Sequence, residues 1–296
     1  MKSLSGNKEQ KLKKGAKAEE EKQKLSGDEL ILHEGIKLAG AAKEQGIILR
    51  ILGSAAIRIN SKNHAGTHKS FRQLTDIDYV AYWKQEGKVD KFFKSFGYEP
   101  LKSRVTPFLF VTRRIYKDAT GTGRPQIDVF FDKLEMNHTV DFRGKLEFDY
   151  PTIPRTELLM QKAQIVFINE KDIKDIIILL LDHQTGRNDD HGVINGKRIA
   201  QILSKDWGFW YTFTTNLEKV KKFVDKYEEF TDEQRQIIAQ RVDQIREMID
   251  KQRKTFGWKL RSRVGTKKIW YRQVEEVERA DHLEEFTMSE EIMNND

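Results

Sequence analysis

Apolar and polar positions alternate in blocks that change period along the chain. In "SGDELILHEGIKLAGAAKEQG", Leu30, Ile31, Ile36, Leu38 and Ala41 keep helical spacing behind a Ser/Gly/Asp start signal, and Gly46 ends the run. "IILRILGS" reads as a short buried strand over 47–52 broken by Gly53, and "AAIRIN" as the first turns of a helix. The polar stretch "SKNHAGTHKSFRQLT" leads to a strand in "DIDYVAY". "KVDKFFKSFGYEP" predicts an amphipathic helix stopped by Gly97. "RVTPFLFVTRRIY" and "RPQIDVFF" predict strands joined by the turn-rich "KDATGTG". "LEFDYPTIP" crosses to a helix in "TELLMQKAQIVF", and "NEKDIKDIIILLLDH" predicts a buried helix with an asparagine cap.

The character changes near residue 183. "QTGRNDDHGVINGKR" reads as a polar loop, and everything beyond it as helix. The clearest case is the run from Phe230 to Val264. There Thr231 and Gln234 form a capping-box signature, and Ile237, Ile238, Val242, Ile245 and Ile249 keep helical period. The expected layout is a Lys-rich tail over 1–24, an α/β (α+β) unit over 25–182, and a helical region over 183–296.

One strand carries an electrostatic problem. In "LTDIDYVAY", period two puts Asp76 and Asp78 on one face and Ile77 and Tyr79 on the other. Two carboxylates about 4 Å apart repel by roughly 4 kcal/mol at an effective dielectric near 20. Such a pair persists if a positive group sits between them, if one is protonated, or if the strand end is wet.

Composition narrows the class. The chain has 296 residues, no cysteine and a formal charge of +7. That length supplies ample core, and the lack of thiols rules out disulfide and thiolate chemistry while fitting a cytoplasmic setting. The start of the chain has no apolar core, so it does not read as a secretory signal. "IIILLL", the longest greasy run, is too short to span a bilayer, so no membrane partner is expected. The tail lacks the aromatics and arginines of a nucleic-acid arm and reads as solvated.

Three features carry chemistry together. Gly53-Ser54 follows a strand and opens a helix, where backbone N–H groups and the Ser54 hydroxyl can hold a phosphate. Each piece alone has a bland reading: a turn, a wet strand end, an edge residue. Their order, Gly-Ser, then Asp76-Ile77-Asp78, then Ile127-Asp128-Val129, resembles the DNA polymerase beta-like nucleotidyltransferase superfamily. The stretch from Asp128 to His183 and the segment "GWKLRSRVGTKKIWYR" are similar to a group of bacterial and archaeal nucleotidyltransferase-like proteins, themselves similar to abortive-infection toxin and antitoxin-type members.

That resemblance implies a small mixed sheet with flanking helices, followed by the helical unit. It implies that Asp76, Asp78 and Asp128 are catalytic and hold magnesium, with Gly53, Ser54 and Lys162 facing the nucleotide phosphates. Mg²⁺ prefers hard oxygen ligands, so a few carboxylates suffice, and a pair of such ions serves in-line phosphoryl transfer. The expected substrates are an NTP such as ATP and a hydroxyl acceptor of the small-molecule, protein or RNA class. Asp172 and Asp175 read instead as structural: a first-turn helix charge and a pairing partner for a base. The segment between Gly53 and Asp76 is longer than the superfamily pattern, and its His64, His68, Lys69 and Arg72 fit either a cover over a triphosphate or a loose loop.

Other groupings carry less. His183 and His191 lie in a loop rich in Asp, Asn and Gly that reads as a solvated connection. Trp207, Trp210, Tyr211 and Phe213 read as helix core or an interface rather than a base-stacking platform. Two further functions stay open: a non-catalytic nucleotide-binding or toxin–antitoxin-type interaction protein on the same fold, and a basic helical nucleic-acid binder whose carboxylates are incidental.

Overall fold

The computed structural model describes residues 27–101 and 112–273. The expected tail over 1–24 and the start of the "RVTPFLFVTRRIY" strand lie outside the described residues. Helix α1 (Asp28–Glu44) has Asp28 and Glu29 in its first turn and Lys43 in its last, each matching the helix dipole. Its buried face carries Ile31, Leu38, Ala39 and Ala42. Strand β1 (Leu49–Leu52) follows, buried throughout, and runs without a loop into α2 (Gly53–Asn60).

The polar stretch after α2 holds a short helix, α3 (Ala65–Phe71), before β2 (Ile77–Ala81). Helix α4 (Glu86–Ser95) then leads through β3 (Tyr98–Pro100) and β4 (Arg113–Asp118) to β5 (Ile127–Phe131). These strands form one mixed sheet in the order β1-β2-β5-β4-β3. Only β2 and β5 run parallel; the other neighbours are antiparallel.

Period two divides the sheet into two chemistries. One face presents Ile51, Ile77, Tyr79 and Tyr116 to α1 and α4. There the Tyr79 hydroxyl donates to the Gly35 carbonyl at 2.7 Å, and the Phe93 ring packs on Tyr79 and Tyr116. The other face carries Leu52, Asp78 and Asp128. The free edge of β1 is closed by residues 151–153, where Ile51 donates to the Pro151 carbonyl and accepts from the Ile153 amide, both at 3.0 Å.

A hairpin, β6 (Lys133–Glu135) with β7 (Thr139–Asp141), leads on to α5 (Arg155–Ala163) and α6 (Glu170–Asp182). Helix α6 explains the greasy run: every residue over 175–181 is buried, packed by α5 and by two later helices. Within the expected loop, β8 (Thr185–Gly186) pairs with β9 (Ile194–Asn195). Helices α7 (Gly196–Leu203), α8 (Trp207–Lys226), α9 (Asp232–Lys251) and α10 (Phe256–Val264) follow.

The capping box at Thr231 and Gln234 is present. The run expected as one helix is two, because the Thr255 hydroxyl caps a new start by accepting from the Trp258 amide at 3.3 Å. A single apolar core extends from Ile31 to Ile249, so the helices of the second half pack on the same interior as the sheet. No helix among the described residues is long and apolar enough to cross a membrane.

Candidate active site

The three aspartates come together because of register. Asp78 of β2 lies opposite Asp128 of β5 in the parallel pair, so both side chains leave the sheet on one face from adjoining strands. Asp76, two residues before Asp78, joins them from the strand's entrance. One carboxylate oxygen from each lies within 4.8 Å of the others. It is the only such acidic or histidine cluster with metal-ligand spacing among the described residues; His183 and His191 do not form one.

Crowding has the expected electrostatic effect. Burial, then the nearby Asp76 and Asp128 carboxylates, push the Asp78 carboxyl up to about 8, while Arg113 and Lys162 pull it the other way. The repulsion between the carboxylates is therefore met in this structure by the raised pKa of Asp78, which favours a proton near neutral pH, and by Arg113. That guanidinium, reaching across from β4, pairs with Asp128, whose other oxygen accepts from the Gln126 amide at 3.2 Å.

Gly53 sits where β1 turns into α2, with φ of +73°. A Cβ there would lie 2.5 Å from an Asp78 carboxylate oxygen. Glycine is thus required twice, for the left-handed backbone and for the close approach of the carboxylate. Leu52, the residue before the helix, offers no side-chain cap, so the first turn of α2 keeps its backbone donors for another acceptor.

Ser54 and Lys162 lie at the same cleft but are engaged within the protein. The Ser54 hydroxyl donates to Asp175 at 2.8 Å and accepts from Arg72 at 3.1 Å and Lys162 at 3.4 Å. The Lys162 ammonium also reaches Asp172 at 2.7 Å and Asp175 at 2.8 Å. Burial alone would discharge this lysine; the Asp172 and Asp175 carboxylates overturn that and hold its pKa above the ordinary lysine value. Asp175, fully buried, is conversely held well below the carboxylate range: burial opposes this, and Lys162 and a His68 hydrogen bond outweigh it. Asp172 and Asp175 thus pair a base, with Asp172 in the first turn of α6.

The long segment before Asp76 is wired into this network. His68, fully buried, accepts at Nδ1 from Arg58 at 2.5 Å, so its proton sits at Nε2 and is donated to Asp175 at 2.6 Å. Arg58 also donates to Asp28 at 3.0 Å and to the Arg72 carbonyl at 2.6 Å. His64 pairs with Asp182 at 2.7 Å. The segment is therefore a fixed wall that presents Arg72 to the cleft. That cleft, about 60 Å³, is bounded by Ser54, Arg72, Asp76, Asp78 and Lys162.

Of the basic residues read in the segment before Asp76, Arg72 is the one that lines the cleft. Arg113 is the neighbour that sequence reasoning misses, since only the pairing of β4 with β5 brings it to Asp128. The aromatic residues of α8 are structural: Trp207 stacks on Tyr211, Trp210 meets Trp258, and Phe213 is fully buried.

No protein-family model matches the chain, and no curated protein matches it. It is similar to the solution structure of the antibiotic-resistance factor ANT(2'')-Ia at 14% identity and TM-score 0.33, over 50% of this chain and 80% of that one. It is similar to the crystal structure of an antigenic nucleotidyltransferase-like protein from Paracoccidioides brasiliensis at 16% identity and TM-score 0.39, over 79% of this chain and 97% of that one. Likeness at this level carries no argument about chemistry, which rests on the side chains described above.

Proposed function

We propose that the chain is a magnesium-dependent nucleotidyltransferase, moving a nucleoside monophosphate from an NTP to a hydroxyl acceptor, with the unit over 25–182 carrying the site. The observation that supports this most is the convergence of Asp76, Asp78 and Asp128 beside the Gly53 turn. The donor set fits the ion: three hard carboxylates, one of them with its pKa raised by burial and by the other two, release that strain when a divalent cation is shared among them. The ion would supply charge neutralisation at the α-phosphate and the leaving pyrophosphate.

The chain's own residues do the rest. The open first turn of α2 offers backbone N–H groups to phosphate oxygens. Arg72 and Lys162 add positive potential at the same wall. Ser54 acts through its hydrogen bonds to Arg72, Lys162 and Asp175, holding them in place. In the reaction, the acceptor oxygen bonds to the α-phosphorus and the α–β bridging bond breaks. Pyrophosphate leaves with the bonding electrons, and the hydroxyl proton passes to Asp128.

A second reading is a nucleotide-binding or toxin–antitoxin-type interaction protein that does not turn over. It is favoured by the saturation of Ser54 and Lys162 by internal partners and by Arg113 on Asp128. Incubation with NTPs, Mg²⁺ and candidate acceptors separates the two. Pyrophosphate release that Asp128→Asn abolishes supports transfer. Magnesium-dependent NTP binding without pyrophosphate supports the second reading, and pyrophosphate release unchanged in Asp128→Asn refutes the proposed mechanism.

A further inference from the structure

Between Lys251 and Gln273 the chain has nine lysines and arginines and no aspartate or glutamate. This segment is α10 with its flanks. Helix α10 buries no residue completely. It is anchored by Trp258 against Trp210, ring centroids 5.1 Å apart, and by Arg261, whose guanidinium lies over Trp207 and donates to the Gly265 and Lys268 carbonyls. Arg272 and Asn137 tie the far end to the β6–β7 hairpin.

What remains faces water. Arg253, Lys259, Arg263, Lys267 and Lys268 are exposed and have no carboxylate partner among the described residues. Phe256 is 77% exposed and Ile269 64%. Cations left unpaired at this density repel one another, and a fold neutralises them cheaply with a polyanion. An exposed aromatic among them adds a stacking surface for a base. A bilayer suits the face less well: α10 has nine residues, and Phe256 and Leu260 are the large apolar side chains it exposes.

We infer that the α10 face and the strand of chain through Lys268 bind single-stranded nucleic acid, with phosphates on the five unpaired cations and a base on Phe256. This surface is independent of the aspartate cluster: it would hold the body of a nucleic acid whether or not that molecule is also the acceptor. The binding follows the counterion rule for single strands, in which the slope of log affinity against log salt is about −0.7 per phosphate neutralised. Five contacts give a slope of about −3.5, so affinity falls roughly 100-fold between 50 and 200 mM salt.

The test is fluorescence anisotropy of a labelled single-stranded RNA with the full-length protein across that salt range, without NTP or metal. The expected result is a slope near −3.5 in wild type and in Asp76→Asn. In Lys259→Glu/Arg263→Glu the affinity should drop at least 10-fold, with melting behaviour unchanged. The milder Phe256→Ala should lose roughly 10-fold with the slope kept. Equal binding by wild type and the charge-reversed variant overturns the inference, as does binding to vesicles of anionic lipid in place of RNA. It is also overturned if RNA binds only when Glu275, Glu276 and Glu278 are replaced by Gln, since the acidic end of the chain would then be the occupant. Because the assay omits NTP, its failure leaves the pyrophosphate assay untouched, and the reverse holds.

Discussion

Asp78 offers a direct measurement of how costly the carboxylate cluster is. Its ordinary pKa is near 3.8, and in the folded chain burial and its two acidic neighbours raise it to about 8. In the unfolded chain it ionises near the ordinary value. Between about pH 4 and pH 8 the native state therefore holds one proton more than the unfolded state, and stability falls as pH rises through that window. The contribution is fully present below the unfolded pKa and is lost above the folded one. Four units convert to ~5.5 kcal/mol as a ceiling. Asp78 is only half-buried, and relaxation and water entry blunt such penalties, so ~2 kcal/mol is the expected size. Asp78→Asn keeps the shape and removes the ionisation. In chelator-treated protein, urea unfolding should show wild type and variant alike at about pH 4. At about pH 8.5 the variant should be more stable by ~2 kcal/mol. Adding Mg²⁺ should stabilise wild type alone. Parallel pH profiles for the two proteins, or a less stable variant in alkaline chelator, would refute the reasoning that the three carboxylates crowd one another.

Two further outcomes follow from neighbouring contacts. Gly53→Ala forces a side chain into a left-handed backbone and to within 2.5 Å of the Asp78 carboxylate, so it should cost ~2 kcal/mol in thermal unfolding and weaken Mn²⁺ binding at least ~10-fold by calorimetric titration; unchanged metal affinity would show that Asp78 is not a ligand. Asp175→Asn removes the anion that Lys162, Ser54 and His68 share, and should cost ~3 kcal/mol in urea unfolding. A loss under ~1 kcal/mol would mean that Asp172 alone balances the lysine.

Local patterns were legible where one residue type solves one local problem. The capping box at Thr231, the asparagine cap of α6 and the glycine corner at residue 53 all read correctly from a few adjacent positions. The aspartate cluster was legible because period two is short-ranged within a strand, and because the resemblance supplied the pairing of two distant strands. Partners that arrive across the fold were not legible. His68 looked like part of a polar loop until the helix α3 placed it against Asp175, 107 residues later. Lys162 read as a phosphate ligand, and no local sequence rule shows that Asp172, Asp175 and Ser54 take up its three protons. The break at Gln252–Thr255 was missed because lysine, arginine and glutamine are good helix formers, and a single hydroxyl cap outweighs them.

The buried junction of Ser54, His68, Lys162 and Asp175 also sets an order of assembly. Its members come from α2, α3, α5 and α6, spanning 121 residues from the serine to the aspartate. A chain growing from its first residue displays the glycine corner and the paired aspartates while the counter-anion for the lysine has not yet been made. Until α6 docks, the positive side chains of the cleft wall, Arg72 and Lys162, lack the anion that joins them. On the proposed function, competence to hold a nucleotide therefore arrives in one late step, because partial products of synthesis lack the Asp175 contacts that fix the wall.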